Sequence, residues 1–272
     1  MPAVLAPATQ NSVDARRDHA WFPGGDHDEA LSRMMYLVER GEGCGLIRGP
    51  AGSGRSRLLH ELHRQSRLAS TVVVPLNVTG WDRTMFPVAV ANACGAINDA
   101  GASTTVAWAG LEDWLRGRTV VQGRVLWLFD DFDLARESLE PEFGRLARLA
   151  ERTHTPSVLI ATVADETSLE VLRRWVDFTV ELTPWDADTS REFVEQTLLT
   201  DGPARVMIDD DAWEELIVAG EGRPSRLLRL MEVAVLAREV MQADSISAEL
   251  INAVAGQLGG MSHSRAMMRP MD

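Results

Sequence analysis

Apolar residues follow two different spacings along the first two thirds of the chain. Short runs of consecutive apolar residues predict buried strands, and stretches in which apolar residues recur every three or four positions predict amphipathic helices. The predicted strands cover 44–47, 71–76, 125–129, 157–163 and 177–182, and the predicted helices begin near positions 26, 58, 86, 104, 140 and 168. Strands that are apolar throughout and alternate with helices are typical of a parallel sheet covered on both faces. We therefore predict an α/β core with a doubly wound parallel sheet over residues 21–184.

The pattern changes after Pro184, where the strand signals stop and helical spacing continues. Predicted helices at 188–200, 209–220, 224–241 and 247–256 are separated by turn residues, and together they indicate a small all-helical module over 185–258. Residues 1–20 have no periodicity and predict a flexible leader, and residues 259–272, rich in Met, Ser and Gly, predict a disordered tail.

Composition and charge exclude several classes of protein. With 45% hydrophobic and 25% charged residues, the chain has the balance of a globular protein and not of a disordered or fibrous one. No apolar run approaches the roughly 18 residues of a membrane span, and two cysteines within apolar segments indicate reduced thiols and a cytoplasmic location. The net charge is −13, which disfavours a dedicated nucleic-acid surface. All 27 cations are arginine, so lysine is absent throughout.

A glycine-rich segment follows the first predicted strand and precedes a predicted helix. It fits the phosphate-loop pattern G-x-x-x-x-G-K-[S/T] except that arginine replaces the lysine. Glycines let successive backbone N–H groups wrap a phosphate, while the cation contacts the β- and γ-phosphates and the hydroxyl binds Mg²⁺. The alternative is a glycine-rich turn that binds nothing. The predicted nucleotide-binding residues are Gly49, Pro50, Ala51, Gly52, Ser53, Gly54, Arg55, Ser56 and Arg57, with Ser56 also a metal ligand.

Two carboxylates end the apolar strand 125–129, about 75 residues after the glycine-rich segment. Asp130 is predicted to orient Mg²⁺, directly or through water, because metal ions on phosphates keep several waters. Asp131 is positioned to polarise an attacking water. The alternative is a solvated turn in which Asp133 caps a helix.

The order and spacing of these motifs resemble an AAA+ P-loop ATPase, most closely the bacterial ExeA-type secretion-associated and transposition-helper ATPases. The resemblance runs from His27 to Val254 and includes the helix start H-x-E-A-L at 27–31, the segment 38–43, the phosphate loop, the Asp130 strand, L-T-P-W at 182–185 and G-R-P at 222–224. It implies ATP and Mg²⁺ as ligands and places the nucleotide between the sheet and a helical lid.

The resemblance also implies three further site residues. Thr162 stands at the end of the sensor-1 strand, where a polar side chain faces the γ-phosphate, although a threonine there also serves as a packed strand residue. Arg174 and its neighbour Arg173 lie in the segment where the family can place an arginine finger, which acts on the nucleotide of a neighbouring subunit. The alternative is that they lie on a solvated helix end. Arg226 is the candidate lid arginine. The family pattern has an arginine directly after the proline, whereas this chain has Ser225 at that position and Arg226 one residue later.

Two departures from the family pattern concern catalysis. Arginine is planar and bulkier than the compact lysine ammonium, and Asp131 is one methylene shorter than the usual glutamate. We therefore expect nucleotide binding to survive better than ATP hydrolysis. Three functions stay open: an ATPase that drives or gates assembly with protein partners or as a homo-oligomer, a nucleotide-binding switch with little or no hydrolysis, and a DNA-associated helper ATPase.

Overall fold

The computed structural model describes residues 21–66, 71–164, 174–201 and 207–267. Its main sheet has five strands in the order β2-β3-β4-β1-β5, and every neighbouring pair is parallel. The strands are β1 (Gly43–Arg48), β2 (Thr71–Asn77), β3 (Arg124–Asp130), β4 (Ser157–Val163) and β5 (Phe178–Glu181). The predicted parallel sheet is confirmed, and each predicted strand lies within a residue of the observed bounds.

Helices cover both faces of this sheet. One face carries α1 (His27–Arg40) and α2 (Arg55–Ser66), and the other carries α3 (Met85–Ala93), α4 (Thr104–Val120) and α5 (Glu140–Arg152). Along β3, Val125, Trp127 and Phe129 join the α3–α5 core, while Leu126 and Leu128 join the α1–α2 core. This alternation is the two-residue period of a strand. Because both sides are apolar, β3 is buried on each face.

The parallel arrangement gathers polar residues at one edge of the sheet. Because all five strands point the same way, the loop after β1, Asn77 at the end of β2 and Asp130 at the end of β3 all lie at this edge. Backbone bonds tie the loops to their neighbours, with Gly49 N donating to Val163 O at 3.3 Å. In open α/β sheets, ligands bind outside the carboxyl ends of the strands.

The second part of the chain is a helical module with its own apolar core. Its helices are α6 (Ala187–Asp201), α7 (Asp210–Gly220), α8 (Pro224–Met241) and α9 (Ala248–Met267). Two short parallel strands, β6 (Met207–Ile208) and β7 (Ser245–Ile246), also pair here. Sequence analysis predicted only helices, because a two-residue strand is too short to show any period. None of the described helices combines the length and apolar character that a membrane span requires.

Helix α9 extends beyond the predicted end of the module. It continues to Met267, whereas the composition of 259–272 predicted disorder. Glycine lowers helix propensity by only about 1 kcal/mol per residue, and α9 contains no proline. The predicted leader, most of the predicted helix at 168–175, including Arg173, and residues 268–272 lie outside the described residues.

The segment before α1 joins the helical module to the sheet. Phe22 is buried in the core of the helical module, with its ring 5.2 Å from that of Trp185 and 5.3 Å from that of Phe193. Trp21, one residue earlier, packs instead against the α1–α2 core. Neighbouring aromatic side chains thus anchor the same backbone segment in both apolar cores.

Candidate nucleotide site

The loop between β1 and α2 has the backbone shape that its glycines predict. Gly52 and Gly54 adopt φ values of +85° and +97°, which side chains other than glycine rarely accept. A Cβ on Gly54 would lie 2.7 Å from His27 Nε2, and one on Gly49 would lie 2.6 Å from Ser53 Oγ. The loop runs directly into α2, whose first N–H groups have no partners within the helix. A tight loop above a helix start is the backbone arrangement that binds phosphate groups.

His27 connects this loop to the helical module. Its Nε2 lies 2.7 Å from Ser53 O, and Trp185 Nε1 donates to its Nδ1 at 3.1 Å. A neutral ring that carries its proton on Nε2 satisfies both of these contacts, and Nδ1 then donates no hydrogen bond to Gly24 O, which lies 3.1 Å from it. Burial lowers the pKa of His27 and outweighs the two backbone carbonyls near the ring, which favours this neutral form. In the sequence, His27 is only one residue of the family resemblance, and nothing in the pattern around it indicates this connecting role.

Arg55 does not extend into solvent but lies across two carboxylates. Its guanidinium is 3.8 Å from Asp131 Oδ1 and 3.8 Å from Asp133 Oδ1, and its side chain is only 10% exposed. Neither Arg55 Nη1 nor Asp133 Oδ1 has a hydrogen-bond partner among the described atoms. We call these three residues the Arg55 clamp. A buried charge group held by long ion pairs without hydrogen bonds is poorly compensated, and a polyphosphate offers the guanidinium a better partner.

Thr162 organises the two carboxylates at the end of β3. Its buried hydroxyl donates to Asp130 Oδ1 at 2.7 Å and accepts from Asp131 N at 2.9 Å. Asp131 has a φ of +55°, and Asn77 Nδ2 donates to its Oδ2 at 3.3 Å. Burial and then the neighbouring Asp130 raise the pKa of Asp131. The Thr162 hydroxyl therefore contacts Asp130 and Asp131, which makes Thr162 a positioning residue in this conformation.

Asn77 and Asp133 were not identified as site residues from the sequence. Asn77 ends an apolar strand in the same way as Asp130, so the signal used for Asp130 could have found it. Asp133 was considered only as a helix cap. In the structure its Oδ2 accepts from Ala164 N at 3.1 Å, which ties the end of β3 to the end of β4.

The helical module contacts the loop through the start of α8. Ser225 N donates to Gly52 O at 3.2 Å, and a Cβ on Gly52 would lie 3.8 Å from the Cβ of Arg223. Arg226, predicted as the lid arginine, donates instead to Glu221. The structure therefore brings Arg223 of the helical module against the loop. Arg223 Nη2 also lies 3.3 Å from Glu221 Oε2.

The other predicted site residues occupy two different places. Ser56 is exposed in the first turn of α2, and Arg57 follows it, half-buried. Arg174 is exposed and lies shortly before β5, on the approach to the amino end of that strand, whereas the loop lies at the carboxyl ends. Within the described residues, no group of three or more His, Cys, Asp or Glu side chains is arranged to hold a metal ion.

Comparisons with known proteins agree with this geometry. The family described as AAA domain matches residues 38–164, just under half of the chain. No curated protein sequence matches.

Solved structures share the fold at low sequence identity. Aeropyrum pernix ORC2, solved in ADPNP–ADP complexes, has 14% identity and a TM-score of 0.66 over 92% of this chain and 72% of its own. Cdc6p from Pyrobaculum aerophilum has 13% identity and a TM-score of 0.67, covering 88% of this chain and 66% of its own. Thermotoga maritima RuvB, a Holliday junction branch migration motor, has 17% identity and a TM-score of 0.58, covering 86% and 70%. The chain therefore has the P-loop AAA+ α/β fold with a helical C-terminal part, and its residues 38–164 match the AAA domain.

Proposed function

We propose that this chain is an ATP-binding AAA+ ATPase in which nucleotide lies between the phosphate loop and the start of α8. The observation that carries the proposal is the loop itself, in which positive-φ glycines lead into α2 beside Asp130 and Thr162. The AAA domain match over residues 38–164 supports it. So does the ORC2 structure of the same fold, which holds ADPNP and ADP.

The side chains around the loop have distinct roles in this proposal. Backbone N–H groups of residues 49–56 bind the phosphates, and Arg223 and Arg226 of the helical module are the candidates to contact them from the other side. Ser56 and Asp130 would hold Mg²⁺, which neutralises phosphate charge when bound. Thr162 keeps Asp130 in position, and Asp131 orients the attacking water.

The same residues predict that the chain binds ATP better than it hydrolyses it. Arg55 must leave Asp131 and Asp133 before it can contact a phosphate, and the Asp131 side chain is one methylene shorter than a glutamate. We therefore infer slow hydrolysis, as in a switch that gates contacts with protein partners in the cytoplasm. Arg174 is the candidate finger if the chain forms a homo-oligomer.

The test compares nucleotide binding and phosphate release in the wild type and three variants. Fluorescent ATP should bind the wild type, and Asp130→Ala should abolish Mg²⁺-dependent binding while leaving the fold intact. Arg55→Lys should raise phosphate release by about tenfold or more, because lysine is the compact cation that fits between two phosphates. Arg64→Lys, in the same helix but paired with Glu61, is the matched control and should change neither quantity. Absence of ATP binding would contradict the proposal, and fast wild-type hydrolysis would contradict the switch.

A DNA-associated helper ATPase is the second candidate, because the RuvB structure of the same fold is a Holliday junction branch migration motor. The net charge of −13 opposes it. Duplex DNA at about 50 mM salt, where phosphate-driven binding is strong, should give no shift in anisotropy. A salt-dependent complex that strengthens with ATP would favour this candidate over the protein-assembly switch.

A further inference from the structure

A groove of about 740 Å³ lies between α4 and α5, on the face of the sheet opposite α2. Its floor is the buried ring of Trp108, and its walls carry three arginines and two glutamates. We call it the α4–α5 groove, and the lining residues that matter here are Thr104, Trp108, Glu112, Arg145, Arg148 and Arg152.

Two arginines of this groove are stacked on tryptophans and have no carboxylate partner among the described residues. The Arg145 guanidinium lies 4.3 Å from the centroid of Trp108, and that of Arg148 lies 5.2 Å from the centroid of Trp175. Across the part of the chain that the structure describes, neither one is in an ion pair. Stacking covers the face of a guanidinium but leaves the N–H groups at its edge free to donate.

The glutamate between the two helices is already neutralised. Glu112 accepts from Arg116 at 2.5 Å and from Arg152 at 2.9 Å. It therefore does not offset the charges of Arg145 and Arg148. Many other described arginines of this acidic chain are ion-paired with a carboxylate, as Arg116 is, whereas Arg145 and Arg148 are not.

The end of the groove adds a weaker preference for anions. Thr104 is the first residue of α4, a helix of 17 residues, and it lines the groove. The amino end of a helix carries a partial positive charge. The arginines and the helix end therefore favour the same sign of ligand charge.

We propose that the α4–α5 groove binds an acidic segment of a protein partner, with carboxylates at Arg145 and Arg148 and apolar contact to Trp108. Residues three apart on a helix have neighbouring side chains, so the two guanidiniums form a pair of adjacent carboxylate sites. A nucleic acid fits less well, because two cations neutralise few phosphates. The proposal does not depend on nucleotide binding.

The experiment measures anisotropy of a fluorescein-labelled octaglutamate peptide with the full chain, without nucleotide, at about 50 mM salt. An octaglutamine peptide reports uncharged background, and a short DNA duplex tests the other polyanion. The double variant Arg145→Gln/Arg148→Gln should bind octaglutamate about tenfold more weakly. Arg33→Gln/Arg191→Gln removes the same charge from two arginines paired within their own helices, to Glu29 and Glu195, and should stay within about twofold of the wild type.

A second variant keeps the test valid if the first is destabilised. Arg145→Lys/Arg148→Lys retains both charges and should bind octaglutamate between the wild type and the glutamine variant, with thermal unfolding as the check of folding. Equal losses in the groove variant and the charge-matched control would overturn the proposal. So would unchanged binding in the groove variant, no binding by the wild type, or tighter binding of the DNA duplex than of octaglutamate.

Discussion

The guanidinium of Arg55 has two carboxylates in reach but a hydrogen bond to neither, with both distances at 3.8 Å. Removing one partner of a buried charged group leaves the other poorly compensated, so loss of a clamp carboxylate should weaken the fold and release the arginine. Asp133→Asn tests this, because the amide oxygen can still accept from Ala164 N.

We expect Asp133→Asn to lower the free energy of unfolding by about 1–3 kcal/mol without nucleotide. ATP should stabilise the variant more than the wild type, because phosphate then replaces the lost carboxylate. Urea unfolding with and without ATP measures both quantities. Glu181→Gln removes the carboxylate that faces Arg48 at 2.5 Å on a more exposed surface, and it should change stability by less than about 1 kcal/mol. A smaller ATP effect in Asp133→Asn than in the wild type would contradict the clamp.

His27 should make stability depend on pH. Its folded-state pKa is lowered from 6.5, so the unfolded chain binds a proton that the folded one does not. The stability that the neutral ring contributes is therefore fully present above about pH 6.5. It is lost as the pH falls from there toward the lowered pKa of the folded state. We expect the free energy of unfolding to fall between pH 7 and 5, as measured by urea titration.

His27→Gln removes the titrating group and should flatten this pH dependence, while lowering stability at pH 7 by about 1–3 kcal/mol through the lost buried hydrogen bonds. His154→Gln is a useful comparison, because His154 is exposed and has no resolved contact with the loop. An unchanged slope in His27→Gln would show that other groups cause the acid sensitivity.

Residue types in the site were predictable from sequence, but the partners of their side chains were not. The position of Thr162 predicts that it faces the γ-phosphate, but it does not predict that its hydroxyl bridges Asp130 and Asp131. Asp133 and Arg55 meet because the end of β3 lies beside the start of α2, a contact between segments far apart in sequence. Position in a motif indicates which edge of the sheet a residue reaches, and packing decides which atoms it bonds.

At the scale of elements, the contact between Trp185 and the turn before α8 fixes the helical module against the site. Trp185 N donates to Gly222 O at 2.8 Å, and a Cβ on Gly222 would lie 2.2 Å from Trp185 O. Gly222 has a φ of +62°. Any side chain there must therefore displace the backbone of the neighbouring segment.

We expect Gly222→Ala to destabilise the protein by more than Gly80→Ala. Gly80 has a φ of +74° but open space around it. Its substitution therefore lowers the free energy of unfolding only by the strain of placing alanine in a left-handed backbone conformation, about 1–2 kcal/mol. The clash at Gly222 should add about 1–3 kcal/mol. Urea unfolding of both variants measures the difference, and ATP binding should fall only in Gly222→Ala. Equal destabilisation of the two variants would show that the module tolerates displacement here.

Strand positions were predictable because each strand of the main sheet is a short, mostly apolar run, and β1, β3 and β4 are buried on both faces. Helix ends were less predictable. The helix predicted at 86–98 ends at Ala93, since Gly95 adopts a φ of +76° and begins a turn. Apolar residues such as Ile97 continue after the helix and still pack against the core, so their spacing did not reveal the turn.

At the scale of the whole molecule, the sheet and the helical module have separate apolar cores joined by few segments. One is the stretch before α1, where Phe22 enters the module and Trp21 packs on the sheet side. His27 and Trp185 form a second connection beside the phosphate loop. Nucleotide bound between loop and module would touch both bodies, so the strength of these connections determines how far binding at the site is transmitted to the module.

The anchoring role of Phe22 gives a prediction that separates the two bodies. Phe22→Ala removes a buried aromatic side chain from the core of the helical module and should lower its local stability by about 3 kcal/mol. Backbone amides of α7 and α8 should then exchange about a hundredfold faster, while those of β3 and β4 change much less, as measured by hydrogen exchange. Trp21→Ala is the matched control, and its effect should appear in α1 and α2 instead. Because the two residues are adjacent, equal effects on both bodies in either variant would contradict separate anchoring and indicate that sheet and module open as one cooperative unit.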